Sequence, residues 1–293
     1  MKRATTWGVG VLALAGLTLP SSAADLGRPI TKAPPMVPPP FTWTGCYVGA
    51  NIGWIGGDNK GSLAPAGNYL NAAGAAAPPN AAGTGLLAGD IASTTHVFSF
   101  NDDGVTGGGQ IGCNWQTGPL VLGGEGDFNG TSLDKTVTRT FGPVTSANPA
   151  FTIGSETDAV RKQLDWFATL RGRIGFAFDR FLIYGTAGVV FADFKSSTSV
   201  GFVPSGALPV FDTAAHAGSR SDTRTEAIYG GGVEWAFAAN WSAKVEYLHF
   251  NMGTLTYLSP LVSSTAPVAS GYAWATAHKE SNDIVRVGVN YRF

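Results

Sequence analysis

Residues 161–178 read RKQLDWFATLRGRIGFAF. The even positions Leu164, Trp166, Ala168, Leu170, Ile174 and Phe176 are apolar, while Gln163, Asp165, Thr169, Arg171 and Arg173 fall on odd ones. A period of two is the signature of a strand with one apolar and one polar face. The fold then depends on how often the pattern recurs and on which face carries the charge.

It recurs along the chain. In GVTGGGQIGCNWQ (104–116) Val105, Ile111, Cys113 and Trp115 oppose Thr106, Gln110, Asn114 and Gln116, and the same split runs through 223–237, 240–250 and 282–293. Segments 43–54, 120–130 and 181–194 bring the number of strands to eight, the last being apolar on both faces and of undetermined parity. Tight connections TGP (117–119), FDR (178–180) and AAN (238–240) alternate with stretches of roughly 25 to 45 residues rich in Ala, Gly, Pro, Ser and Thr. Amphipathic strands of about ten residues, joined alternately by tight turns and long loops, predict an all-β chain. The expected fold is an eight-stranded antiparallel transmembrane β-barrel with short periplasmic turns and long extracellular loops.

The placement of charge supports that choice. Glu125, Asp127, Arg171, Arg173, Glu234, Lys244, Glu246 and Arg286 stand in mid-strand on the face opposite the apolar one. A soluble barrel of the lipocalin kind would wet that face and bury the other; a membrane barrel turns it inward. Eight strands enclose an interior only as wide as the side chains that fill it, and an unpaired buried charge is costly. The eight residues are therefore expected to form an ion-paired plug in the lumen, against sieve-like conduction.

Aromatics agree with this reading. Trp115, Phe176, Trp235, Phe237, Trp241, Tyr291 and Phe293 lie at turn-side ends of the apolar face, and Trp54, Phe128, Trp166 and Tyr229 at loop-side ends. The ten residues from Trp166 to Phe176 span on the order of 25 Å at a tilt near 40°, the height of an apolar membrane band.

The N-terminal part carries its own signals. Lys2 and Arg3, an apolar run from Trp7 to Leu19, then Pro20, Ser22, Ala23 and Ala24 read as a signal peptide, 1–24. Residues 25–41, with LGRPITKAPPMVPPP, read as an extended Pro-rich periplasmic tether, leaving 42–293 for the outer-membrane barrel. Without the signal the chain has 17 basic and 20 acidic residues, a net charge of −3, which gives no reason to expect nucleic acid as a partner. Charged residues are 13% of the chain, about half the usual share, and glycines number 40. That composition fits apolar residues dispersed by alternation better than a soluble globule.

Export also bears on the two cysteines, since disulfides persist in oxidising compartments. Pairing Trp43 opposite Gln116 sets Cys46 directly across from Cys113 on the apolar face, and facing residues in such a ladder are within disulfide range. A Cys46–Cys113 bond is expected; a register slip of two would leave two separate lipid-facing thiols.

The segments FTWTGCYVGANIGW (41–54), GGGQIGCNWQ (107–116), LGGEGDFNG (122–130), WFATLRGRIGFAF (166–178), YGGGVEWAF (229–237), WSAKVEYLHF (241–250) and VRVGVNYRF (285–293) resemble the small outer-membrane proteins of alphaproteobacteria. This is the 25 and 31 kDa group, often labelled a porin family and related to the N-terminal barrel of OmpA. The resemblance covers the eight strands and the Pro-rich lead, not the long loops, and stops short of OmpA's peptidoglycan-binding domain. It implies an outer-membrane location, contact with membrane lipid and lipopolysaccharide, surface loops that meet a host or surface ligand, a role in envelope integrity, and in some members hemin binding. It further implies that Val289, Tyr291 and Phe293, a stripe ending on an aromatic, are the signal captured by the outer-membrane assembly machinery.

Chemistry-bearing motifs are few. GGGQIG (107–112) has dinucleotide-like spacing but lies inside a strand, with no following helix N-terminus to hold phosphate. His249 reads as an interfacial histidine: the second residue after it is Asn251, not the serine that a lipid hydrolase would orient there. His96, His216 and His278 read as solvated loop residues, with hemin or metal capture as the alternative. No catalytic residue, cofactor or metal ligand is assigned. The functions left are a structural envelope barrel with adhesive or recognition loops, a hemin- or metal-capturing receptor, and a narrow porin.

Overall fold

The computed structural model describes residues 41–67, 95–145, 152–204, 214–264 and 271–293. The expected signal peptide and almost all of the tether lie outside these residues.

Nine strands occur among them: β1 (Gly45–Gly67), β2 (His96–Thr117), β3 (Leu120–Phe141), β4 (Val144–Thr145), β5 (Thr152–Phe178), β6 (Phe181–Pro204), β7 (Ala214–Trp235), β8 (Trp241–Ser264) and β9 (Tyr272–Arg292). Each long strand pairs antiparallel with its neighbours in the order β3-β2-β1-β9-β8-β7-β6-β5, and β3 pairs with β5 to close the ring. Eight strands thus form the barrel, and β4 is a two-residue addition beside β5. Closure leaves no open edge within the apolar band, the condition for sheet in hydrocarbon; beyond it the β2–β3 ladder stops at Thr106 and Thr131, and the β7–β8 ladder is interrupted between His216 and Ile228.

The tight turns stand where the sequence puts them. Gly118 (φ 59°) and Asp179 (φ 52°) supply the left-handed backbone of the β2–β3 and β5–β6 reversals, as two-residue hairpins require. The parity of β6 is now fixed: Phe181, Ile183, Val189 and Phe191 face outward, and Leu182, Tyr184, Val190, Ala192 and Phe194 inward.

Two expectations need correction. The long strands are 21 to 27 residues, not about ten, so much of the segments read as loops is barrel wall. Above the membrane the outer face meets water and the inner face is mixed, so the alternation loses contrast while the ladder continues. At about 3.3 Å per residue and a tilt near 40°, such strands rise to roughly twice the height of the apolar band.

The second concerns β5. A bulge between Leu164 and Phe167 reverses the parity above it, as one extra residue must in a period of two. Leu164, expected outside, is 0% exposed in the core, while Phe167 fills the lumen beneath it and Asp165 reaches outward to Lys195 at 2.5 Å.

The outer face locates the membrane. Trp115, Ile111, Leu170, Ile174, Phe176, Val233, Trp235, Val245, Val287 and Tyr291 are exposed, whereas Asp58, Lys60, Asp134, Arg161, Lys195 and Asp222 are partly or fully exposed on the wall beyond the band. Trp166 is half-buried at that border, stacked on Phe128 at 5.5 Å.

Candidate functional site

The interior is filled in successive bands. Nearest the tight turns, Trp43, Val121, Ala177, Leu182, Tyr184 and Ala236 form an apolar floor. Above it lie the eight charged residues singled out in the sequence, all buried at 6% exposure or less.

Glu125 Oε1 accepts from Arg171 Nη2 at 2.6 Å and from Lys244 Nζ at 2.7 Å. Asp127 Oδ2 accepts from Arg171 at 2.8 Å and Arg286 at 2.9 Å. Glu246 holds Arg171 at 2.9 Å and Arg286 at 2.7 Å, and Glu234 holds Arg173 at 2.8 Å. Four carboxylates face four cations, so the band is neutral as a whole. Charge-assisted bonds of this length are the strong kind.

Sequence reasoning missed the neutral partners. Tyr47 lies opposite Gly112, which lies opposite Glu125 on the next strand, and the tyrosine hydroxyl donates to Glu125 at 2.6 Å. A Cβ on Gly112 would stand 2.4 Å from that hydroxyl. The arrangement recurs where Tyr184, Gly232 and Glu246 share a row: the hydroxyl donates to Glu246 at 3.1 Å and a Cβ on Gly232 would stand 2.8 Å from it. The glycine-rich runs in β2 and β7 therefore let a tyrosine cross a strand and reach a carboxylate. A tyrosine and a glutamate lying on inward positions either side of a glycine was the available signal.

Over this network sits a second apolar layer, Ile55, Leu133, Leu164, Phe167, Val190, Phe194, Ile228, Leu248, Phe250, Met252 and Ile284. Beyond it a smaller polar band pairs Lys162 with Asp102 and Glu280, all buried. Burial pushes Glu280 up to about 7 despite Lys162, and pushes neighbouring His278 down to about 4.

The histidines depart from expectation. His96, His216 and His278 belong to strands, and His216 and His278 are 1% and 2% exposed, not solvated loop residues. They sit on inward positions of the barrel wall beyond the membrane, where the strand pattern is too weak to distinguish strand from loop in the sequence. Burial also pushes His216 down to about 4. His249 is partly buried on the outer face, its Nδ1 2.7 Å from Asp283, which also accepts from the Tyr247 hydroxyl at 2.5 Å.

The GGGQIG glycines lie inside β2. Cys46 and Cys113 face each other in the β1–β2 ladder and are joined by a disulfide, with Cα atoms 4.0 Å apart. Val289, Tyr291 and Phe293 are 44%, 42% and 69% exposed on one outer stripe. The Phe293 N–H donates to Cys46 O at 3.1 Å, and Tyr291 meets Trp241 edge-on at 5.1 Å.

The family model described as "Outer membrane protein beta-barrel domain" matches residues 9–293. The 31 kDa outer-membrane immunogenic protein of Brucella melitensis is 30% identical over 275 residues, 92% of this chain and 92% of that protein. The 22 kDa outer membrane protein of Rhizobium leguminosarum is 27% identical over 171 residues, 58% of this chain and 60% of that one. Among solved structures, OprG of Pseudomonas aeruginosa aligns at 9% identity and TM-score 0.36, covering 86% of this chain and 99% of that one.

Proposed function

The chain belongs to the outer membrane protein β-barrel family, and from that premise we propose that it is a closed envelope barrel acting through its outer wall and its surface-exposed end. It is an outer-membrane protein, so its apolar band meets membrane lipid. The carrying observation is the filled interior, in which a neutral ion-pair band lies between two apolar layers. A barrel so closed does its work by holding the envelope together and by presenting the strands that rise beyond the membrane for adhesion or recognition. The word immunogenic in the Brucella protein's name supports a surface-accessible end. Contact with lipopolysaccharide, and with a host or surface ligand, belongs to the same reading, which assigns no catalytic step.

The test is a deletion strain complemented either with the whole chain or with a form shortened above the band. Loss of attachment with intact detergent resistance would place recognition in the extension, and detergent sensitivity of the deletion strain would support the envelope role. A strain unaltered in both would sink the reading.

The narrow-porin alternative has its own measurement. Purified protein in planar lipid bilayers should give no stable open level, and reproducible ohmic channels would contradict closure. Hemin capture finds little support in His216 and His278, which are too enclosed to meet a porphyrin.

The stripe of Val289, Tyr291 and Phe293 is proposed as the feature that the assembly machinery captures. Deleting Phe293 should reduce the heat-modifiable folded barrel recovered from outer membranes; undiminished assembly would refute it.

A further inference from the structure

We propose that His96, Glu156 and Asp158 form a binding site for a divalent transition cation, Zn(II) or Mn(II) in class, at the outward end of the barrel interior. The residues come from β2 and β5, and one ligand atom from each lies within 4.8 Å of the other two. His96 Nδ1 is 2.6 Å from Asp158 Oδ2 and 3.8 Å from Glu156 Oε1. A cation with bonds of about 2.1 Å draws its ligand atoms to within about 4.2 Å of each other, so a small side-chain rotation completes the set.

The charge count favours a cation. In the band deep in the membrane four carboxylates meet four cations, but here two buried carboxylates face a single imidazole. Their side chains are 2% and 0% exposed, and neither forms an ion pair with Lys or Arg among the described residues. Arg139, directly opposite Asp158 in the ladder, holds its guanidinium over the Phe98 ring instead, at 5.6 Å. Among the described residues Glu156 Oε1 and Asp158 Oδ1 are buried and take no hydrogen bond from outside the His96–Glu156–Asp158 cluster, although buried polar atoms are ordinarily satisfied. A divalent ion would neutralise both carboxylates and occupy those lone pairs, displacing the proton that burial and the adjoining Asp158 favour on Glu156 and the one shared between His96 and Asp158.

Geometry also orients the ligand and leaves a way in. The His96 ring is stacked on Phe141 with centroids 3.8 Å apart, which fixes its plane. Its side chain is 11% exposed while both carboxylates are enclosed, so an ion enters past the imidazole. One nitrogen with two carboxylate oxygens suits a borderline to hard divalent metal, and the crowding of two acids around one ring nitrogen suits a bare ion and not a macrocycle. The inference is independent of the envelope role, since a structural barrel can carry a bound ion.

The experiment is calorimetric titration of the folded, detergent-solubilised full chain with ZnCl2 and MnCl2. Wild type should take up one equivalent of at least one ion, with binding weakened tenfold or more in H96Q and abolished in E156Q/D158N. D134N/D165N, altered at carboxylates on the outer wall, should bind as wild type does. Heat-modifiability on gels verifies each barrel, and H96Q, at a partly exposed position, remains the probe if the double variant does not fold. No binding of either ion to wild type, or equal binding by H96Q and wild type, would overturn the proposal.

Discussion

Arg171→Met should lower the unfolding free energy of the barrel by about 3 to 5 kcal/mol, the cost of leaving buried charges without their partner. Arg171 reaches Glu125, Asp127 and Glu246 at 2.6, 2.8 and 2.9 Å, closer to Glu125 than Arg286, which stands 3.5 Å from it. Methionine restores much of the volume but none of the five donors, so three carboxylates would share the remaining cations of a band that is balanced in the wild type. Urea unfolding in detergent micelles, followed by tryptophan fluorescence and heat-modifiability, measures the effect. Arg161→Met is the control. Arg161 makes a bidentate contact with Asp134 at 2.9 and 2.5 Å, but on the water-facing wall, where such pairs contribute little. A midpoint unchanged in Arg171→Met would mean that water reaches the network and that the lumen is not closed there.

The second large effect concerns the covalent link. Replacing both Cys46 and Cys113 by serine should destabilise the barrel by up to about 4 kcal/mol, the chain-entropy value for a loop closed across a separation of 67 residues. The actual loss should be smaller if residual β1–β2 pairing persists in the unfolded chain, because the link then restrains less. Mass spectrometry of unreduced, denatured protein treated with an alkylating agent checks the bond. The expected result is no label and a mass two hydrogen atoms below the reduced chain. Two alkylated cysteines in freshly isolated outer membranes would show that the link does not form in the cell.

Alternation in 161–178 and its repeats gave the strand type, the ring of eight and the inward face on which Glu125, Arg171, Glu246 and Arg286 lie. These follow from a period of two, which any stretch with one apolar and one polar face declares locally. The same arithmetic placed Cys46 opposite Cys113, since one register fixes all pairs in an unbroken ladder. Strand length was not legible, because beyond the membrane Thr, Ser, Ala and Gly occupy both faces and the pattern that betrays a strand in lipid disappears.

The inward turn of His96, Glu156, Asp158 and His278, the parity switch at Leu164 and the passage of Tyr47 across Gly112 were decided only by tertiary structure. Each depends on what stands across the barrel or on the next strand: a bulge shifts parity by one residue without an unmistakable local mark, and a carboxylate gains its partner from a strand up to 161 residues away, as Glu125 does with Arg286. The sequence by itself determined which residues could face inward near the membrane. Closure of the sheet determined which of them meet, because hydrogen bonds, ion pairs and ligand sets depend on distances that exist only once β3 has paired with β5.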